Sequence, residues 1–420
     1  MKSLIRHSYG LILLLSCLFF ACEDKVERTR TLTANVPVYM DFEEFRATKS
    51  ALSARELILP GKICMYGDYL FINEIGEGIH IIDNSNPSSP KNTSFLEVIG
   101  NRELTVKEGL LFADSYIDLV CFDISDPKNP VEIGRSENVF PYVLPEPDNN
   151  YPVDEIDLKK GVVVDWEVKT ITREVDFNPV PEICYDMMTN ASSSSWASAG
   201  NSKTVTVTGS TSKFTINEDF LFALDGNSLS VFQIERDKVT KLGSVYCGYS
   251  PETLFYYEDK LFMGTPFGML IYTVENPRSP SFLSFTGHVL GCDPVVVQGD
   301  YAYVTVRAGN LCGQNANILD VIDIRDPKHP LIKATFNMEC PYGLSIDGNR
   351  LFVCDNGLKI FDATDPLTVG NRLLSSFGDM NGFDVISYNG LLMLIGTDGL
   401  YQYNYSNANV SKLSVIPVKK

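Results

Sequence analysis

The chain is sparing with the residues that do proton and metal chemistry. Apart from His7 near the N-terminus, its histidines are His80, His288 and His329, far apart and never at the His-x-x-x-His spacing that sets two imidazoles on one ion. His80 falls inside an apolar run and His329 beside a proline, positions that suit structural roles. A Gly-x-Ser-x-Gly nucleophile elbow, a phosphate-binding glycine loop and a Cys-x-x-Cys pair are all missing. No catalytic residue, metal site or cofactor is therefore expected. Carboxylates are the one plentiful reactive type, 53 against 35 Lys and Arg. Sugar-cleaving enzymes place two of them about 5–10 Å apart. Glu252 and Asp293 stand in connections between repeated units, but the sequence alone does not pair them across a fold.

The elements that would position any such group are repeated. IHIIDNSNPSSP at Ile79–Pro90, VCFDISDPKNP at Val120–Pro130, VIDIRDPKHP at Val321–Pro330 and IFDATDP at Ile360–Pro366 are each an apolar run ending in Asp, then a turn closed by Asn-Pro or Asp-Pro. Around each phrase lie an apolar strand, a tight turn such as Gly67-Asp68 or Gly348-Asn349, and a second strand such as Tyr69–Ile72 or Leu351–Cys354. A fourth strand follows the proline turn, as at Ser94–Ile99 and Leu331–Phe336. One residue of the second strand marks every unit: Phe71, Phe112, Val163, Phe222, Phe262, Tyr303, Phe352 and Met393. The steps between them are 41, 51, 59, 40, 41, 49 and 41 residues, so the period is 40 or 41 and the longer steps are insertions.

Four short strands in about 40–45 residues make one β-propeller blade. Such strands cannot bury much alone, and stacking the sheets in a ring leaves only short protected edges. The expected fold is all-β: a β-propeller of four-stranded blades, eight by the markers, with seven as the alternative because the third unit, at Val163, is degenerate. Residues 57–420 form the propeller, after a leader at 1–21 and a tether and spacer at 22–56. That spacer holds a short apolar piece at Val36–Met40 and a helical turn at Asp41–Thr48. A long loop insertion at about 176–211 carries Tyr185 and Trp196 in a Ser-rich stretch and is the candidate ligand-facing loop.

Connectivity of this kind bears on the cysteines. In a blade, the loop between second and third strands opens on the same face as the connection entering the first strand. Cys312, in an insertion at Val306–Asn317, therefore shares a rim with Cys292 and Cys340. A disulfide between Cys292 and Cys312 is expected, or failing that between Cys312 and Cys340. Closing about 20 residues in this way contributes on the order of 3 kcal/mol in the chain-entropy account. Cys64, Cys121 and Cys354 lie within apolar strands and suit buried free thiols.

The hydrophobic-hydrophobic-Asp-x-Ser-Asn-Pro-x-x-Pro phrase resembles the LVIVD repeat of bacterial and archaeal surface proteins, a resemblance that implies a β-propeller and no particular activity. Asp83, Asn86, Pro87 and Pro90 carry it in unit one, Asp123, Asp126, Pro127 and Pro130 in unit two, and Asp323, Asp326, Pro327 and Pro330 in unit six. Unit seven keeps Asp362, Asp365 and Pro366 without the second proline, and unit five has Thr273 where the Asp belongs. Each turn offers at most two carboxylates where calcium wants six to eight oxygens. Asp and Asn side chains bonded to their own turn backbone, with Pro presetting φ, are the expected chemistry.

The leader sets an address. Lys2 and Arg6 precede an uncharged run from Leu11 to Ala21, and LFFAC at Leu18–Cys22 resembles a bacterial lipoprotein signal, in which Cys22 is acylated. The run is too short for a membrane helix of about 20 residues. Glu23-Asp24 resembles the acidic signal that sends Bacteroidetes lipoproteins to the outside of the outer membrane; the periplasmic face is the alternative. The net charge is −18, and removing Lys2 and Arg6 leaves 33 basic against 53 acidic residues, −20. Such a surface repels nucleic acid and anionic headgroups. The reading is a non-enzymatic, lipid-anchored envelope propeller, attached to the membrane through Cys22 and binding a protein or glycan partner. The competing readings are a carbohydrate-active enzyme with paired carboxylates at the channel mouth and a structural subunit of an outer-membrane complex.

Overall fold

A computed structural model describes residues 29–140, 143–174, 206–235, 238–287, 294–308 and 316–419. They divide into two compact units, residues 29–38, 147–156 and 165–174 forming the smaller and the remainder the larger.

The strands Thr29–Met40 and Val162–Glu174, most of whose residues belong to the smaller unit, pair as a two-stranded ribbon. Threonines face each other across it, Thr31 with Thr172 at 3.2 Å and Thr33 with Thr170 at 3.3 Å. Asn35 is fully buried and organises the loop beside it. Its amide nitrogen donates to the Asp148 and Tyr151 carbonyls at 2.9 and 2.8 Å, and its amide oxygen accepts from the Asp148 N–H at 3.1 Å. This ribbon corrects the eight-blade expectation. Val163 belongs to it and marks no blade, and residues 29–40, within the expected tether and spacer, are its other strand. The Val163 segment has the apolar alternation of a strand but lacks the turn and third strand of a blade, so it pairs with a partner from elsewhere in the chain.

The larger unit is a propeller of seven blades, not eight. Blades one to seven have inner strands at Pro60–Tyr66, Leu104–Lys107, Phe214–Asn217, Thr253–Tyr257, Val295–Gln298, Pro341–Asp347 and Gly382–Tyr388, and each continues outward through three antiparallel strands. The seven remaining markers, Phe71, Phe112, Phe222, Phe262, Tyr303, Phe352 and Met393, are all buried, one per blade. Each fills the layer between its own blade and the next. Phe71 lies with Leu104 and Leu111 of blade two, and Met393 with Ile63 and Leu70 of blade one. A period of 40 residues is thus the repeat of an interblade wedge. Cys64, Cys121 and Cys354 sit in these layers as buried thiols, and burial raises their pKa values.

The proline turns have the expected chemistry. The strand-ending carboxylates of Asp83, Asp123 and Asp362 accept from the N–H groups of Ser85, Ser125 and Thr364 at 3.1, 2.8 and 2.9 Å. Three residues further on, Asn86, Asp126 and Asp365 accept from Ser88, Lys128 and Leu367 at 3.2, 3.2 and 3.1 Å. Thr273 does the same with its hydroxyl, accepting from Glu275 at 3.3 Å. Side-chain oxygens bonded two residues ahead are what Asp, Asn and Thr offer a turn.

Blade one carries two extra strands. Ala51–Ser53 adds to its outer edge, and Thr206–Thr208 to its inner edge beside Cys64–Tyr66. The insertion expected at 176–211 therefore ends in ordered structure, not in loop. Before the first blade, the helical turn Phe42–Phe45 is capped by Asp41, which accepts from Glu43 N–H at 2.8 Å. First and last blades share no strand. They meet through Leu57, which bridges Val418 and accepts from Lys419 N–H at 2.8 Å.

Candidate functional site: the entry face

Strand register defines the two ends of every blade. Pro60 pairs with Glu74, Glu74 with Gly78 and Gly78 with Glu97, so the start of the inner strand, the second loop and the end of the outer strand share one end. We call this the entry face; the proline turns occupy the other.

Carboxylates are frequent on the entry face, and Glu74, Asp114, Asp355 and Asp398 cap backbone in the same way. Each lies at the end of a second strand or opens the following loop and accepts from chain entering its own blade. Glu74 takes the N–H groups of Ile58, at 3.1 Å, and Leu59. Asp114 takes Arg102 and Glu103 at 2.7 and 2.8 Å, Asp355 takes Glu339 and Cys340 at 3.0 and 2.5 Å, and Asp398 takes Asn381 at 3.2 Å. His80 is fully buried and bonds Glu74 through Nε2 at 2.8 Å with its ring edge on Phe95, so it too is structural. Burial raises the Glu74 pKa, but the His80 bond and the two N–H groups bring it below the usual range. Burial pushes Asp114 up to about 7. His329 is exposed in its turn and bonded to Asp326 at 2.8 Å.

The channel mouth is filled by the chain itself. After Thr206–Thr208, Gly209–Lys213 crosses the ring and enters blade three. Gly209 donates to Ile63 of blade one, Ser210 N–H to Asp384 of blade seven at 2.7 Å, and Thr211 Oγ1 to the same carboxylate at 3.1 Å. The Leu344 N–H of blade six donates to Ser210 Oγ. Leu254 of blade four donates to Ser212 O at 2.8 Å, and Lys213 N–H to Glu103 of blade two at 3.0 Å. Lys62 completes the cluster, 3.3 Å from Glu103 and donating to Thr211 O at 3.1 Å. Burial drives the Asp384 carboxyl up and the Lys62 ammonium down, each opposed by the other's charge. Glu103 and Asp384, the axial carboxylates, thus hold their own backbone. Glu252 is buried at the entry to blade four, while Asp293 lies outside the described residues.

Aromatic rings stand exposed where blades three and four meet. Tyr249, in the connection between them, stacks on Phe285 of the outer strand of blade four, with centroids 4.6 Å apart and planes at 17°. It meets Phe267 edge-on at 6.3 Å. Tyr249 is 50 % exposed and Phe267 45 %, with Tyr246 at 75 % on the adjoining end of blade three. Gly268 makes the stack feasible, since a side chain there would overlap the Thr286 carbonyl and the Phe285 ring. The backbone is strained at Tyr249 and Ser250, with φ of 55° and 47°, a region that non-glycine residues seldom occupy. Asn227 supports the turn, its Oδ1 accepting from Ser250 N–H at 2.9 Å and Ser250 Oγ at 3.1 Å.

Of the residues singled out by sequence, Cys22, Tyr185, Trp196, His288, Cys292 and Cys312 lie outside the described residues. Cys340 is described and half-buried; it, Cys64, Cys121, Cys247 and Cys354 form no disulfide among themselves. Among the described residues, no cluster of three or more His, Cys, Asp or Glu side chains is arranged to hold a metal ion. The Tyr249 platform was missed. Its available signal was two tyrosines, Tyr246 and Tyr249, around a glycine in a connection between units.

Three segments of the chain, 61–94, 102–137 and 292–338, match the LVIVD repeat. They coincide with blades one, two and five. The class is therefore a repeat β-propeller with four-stranded blades. More narrowly, it is one whose blades include LVIVD repeats. No curated protein matches the chain. Among solved structures it is similar to the computationally designed Ika8 protein, with a TM-score of 0.48 and 7 % identity over 86 % of this chain and 87 % of that one. It is also similar to a putative 6-phosphogluconolactonase from Bacteroides fragilis NCTC 9343, at 0.47 and 9 % over 89 % and 96 %. A functionally unknown protein from Desulfotomaculum acetoxidans DSM 771 aligns at 0.42 and 13 % over 48 % and 68 %.

Proposed function

We propose that the chain is a non-enzymatic binding scaffold of the bacterial envelope, a rigid ring carried on lipid at Cys22 that holds a protein or glycan partner on its entry face. The observation that carries this reading is the platform of Tyr249 and Phe267, exposed yet fixed by stacking on half-buried Phe285 and by a strained turn. Strained backbone persists only where surrounding structure imposes it, and a ring already fixed loses little freedom on binding. The axial carboxylates favour the same reading over hydrolysis, because Glu103 and Asp384 are bonded to the chain's own residues in place of flanking an open cleft.

The leader ending at Cys22 and the acidic Glu23-Asp24 support lipid anchoring with display on the outer face of the outer membrane. A net charge of −20 would oppose binding to anionic headgroups, so the lipid supplies the attachment. The test uses the soluble 23–420 fragment as bait against envelope extract and a glycan array, beside Tyr249→Asn, which removes the ring but tolerates the left-handed backbone. A binder lost in the variant is expected; binders indifferent to substitution across the entry face would overturn the reading. For the anchor, Cys22→Ala should move the protein from the detergent phase to the aqueous phase, and unchanged partitioning would refute it.

A further inference from the structure

Resting on the scaffold reading, we infer that the blade three–four platform binds a neutral pyranose-based glycan. The C–H face of a sugar ring is apolar and flat while its rim carries hydroxyl groups, so its site needs an exposed aromatic face beside oriented polar atoms. Tyr249 supplies the face, backed by Phe285 and bordered by the edge of Phe267. The rim is Asn227 with Ser250. Because Asn227 Oδ1 already accepts both Ser250 N–H and Ser250 Oγ, the amide plane is fixed, and Asn227, itself exposed, has its Nδ2 hydrogens to donate to a ligand. The Ser250 hydroxyl, donating to Asn227, keeps lone pairs for an incoming sugar O–H.

Charge selects among glycans. A chain at −18 repels uronic-acid and sulfated polymers and is indifferent to neutral hexoses. The exposed area is also small. One stacked ring plus its edge-on neighbour matches one or two sugar units of a chain end or short branch. A larger flat ligand would need the aromatic surface to continue.

The experiment titrates the soluble 23–420 fragment with cellohexaose, laminarihexaose, maltohexaose and mannohexaose, with polygalacturonate and heparin as anionic probes. Binding to a neutral oligomer, followed by calorimetry, is expected to fall about tenfold or more in Tyr249→Asn, the loss of one stacking contact. It should survive in Tyr249→Phe, which keeps the ring, and weaken in Asn227→Ala. Phe267→Ala provides a second deletion should Tyr249→Asn not fold. Binding confined to the anionic polymers, binding unaffected at Tyr249 and Phe267, or no binding to any oligomer would each overturn the inference. A protein captured from envelope extract in a Tyr249-dependent way, with no glycan bound, would overturn the glycan and leave the scaffold standing.

Discussion

Removing the Asp384 carboxylate should loosen the propeller at its centre. In the native chain that carboxylate accepts Ser210 N–H at 2.7 Å, Thr211 Oγ1 at 3.1 Å and Val385 N–H at 3.0 Å. It fits because residues 209 and 343 are glycines, and a Cβ at either would overlap it. Asp384→Ala leaves the Ser210 and Thr211 donors buried without this acceptor, at about 1–3 kcal/mol each, while Lys62 keeps Glu103 as counter-charge. A loss of about 3–5 kcal/mol is expected. Asp384→Asn retains an acceptor for Ser210 and keeps the uncharged form that burial favours in Asp384, so it should lose under about 1.5 kcal/mol. Urea titration of both variants measures the losses, and hydrogen exchange at Leu254 and Leu344, whose N–H groups end on Ser212 and Ser210, reports the segment directly. A cost below about 1 kcal/mol for the alanine variant, with exchange at those amides unchanged, would show that the segment lies in the channel without holding it.

Asp114 tests the sign of a buried acid. With its pKa raised to about 7 from a normal 3.8, the folded state holds a proton that the unfolded chain gives up, so its contribution is full at low pH and is lost as pH rises from about 4 to 7. Subtracting the stability of Asp114→Asn from that of the native chain should leave a difference that falls across this window; a flat difference would refute it. Asp323 should behave oppositely. Arg325 holds its pKa down at about 2, so its contribution is present above pH 4 and fades toward pH 2, and Asp323→Ala should abolish that acid limb in denaturation scans. At neutral pH the same change should cost roughly 1 kcal/mol, by analogy with lost helix caps, and leave any response to added calcium unaltered. A calcium-dependent melting temperature that vanished in the variant would show that the turns bind metal.

What the sequence exposed was local. Asp83 and Asn86 bond N–H groups two residues ahead, so the turn carries its own explanation and repeats legibly. Phe71 and its counterparts repeat because each fills the same wedge. Strand partners are another matter. Alternation at Val163 says that a strand exists, but not that it pairs with Thr29–Met40, more than 120 residues earlier. Gly209-Ser210-Thr211-Ser212 has the composition of a solvated loop, and the residues that bury it, Asp384 and Gly343, lie far along the chain. The Tyr249 platform depends on positive φ angles and on Phe285 from another strand.

The crossing segment and the platform are linked by topology. Because blades one and seven share no strand, closure rests on Met393, Ile395 and Leu400 packing against Leu57, Ile63 and Leu70, with the Leu57–Val418 bridge and the paired amides of Asn84 and Gln402. A few residues bonded to blades one, two, four, six and seven before entering blade three add the missing constraint from inside. They also consume the place where a propeller most readily offers a pocket. A ligand approaching the entry face meets Gly209–Lys213 at the axis, its polar groups already paired, and must find its contacts further out. The blade three–four boundary supplies them, and Ser212 ties the crossing segment to Leu254, in the inner strand that the Tyr249 connection enters. Loosening the segment should therefore disturb the platform before it disturbs the proline turns at the other end of the blades.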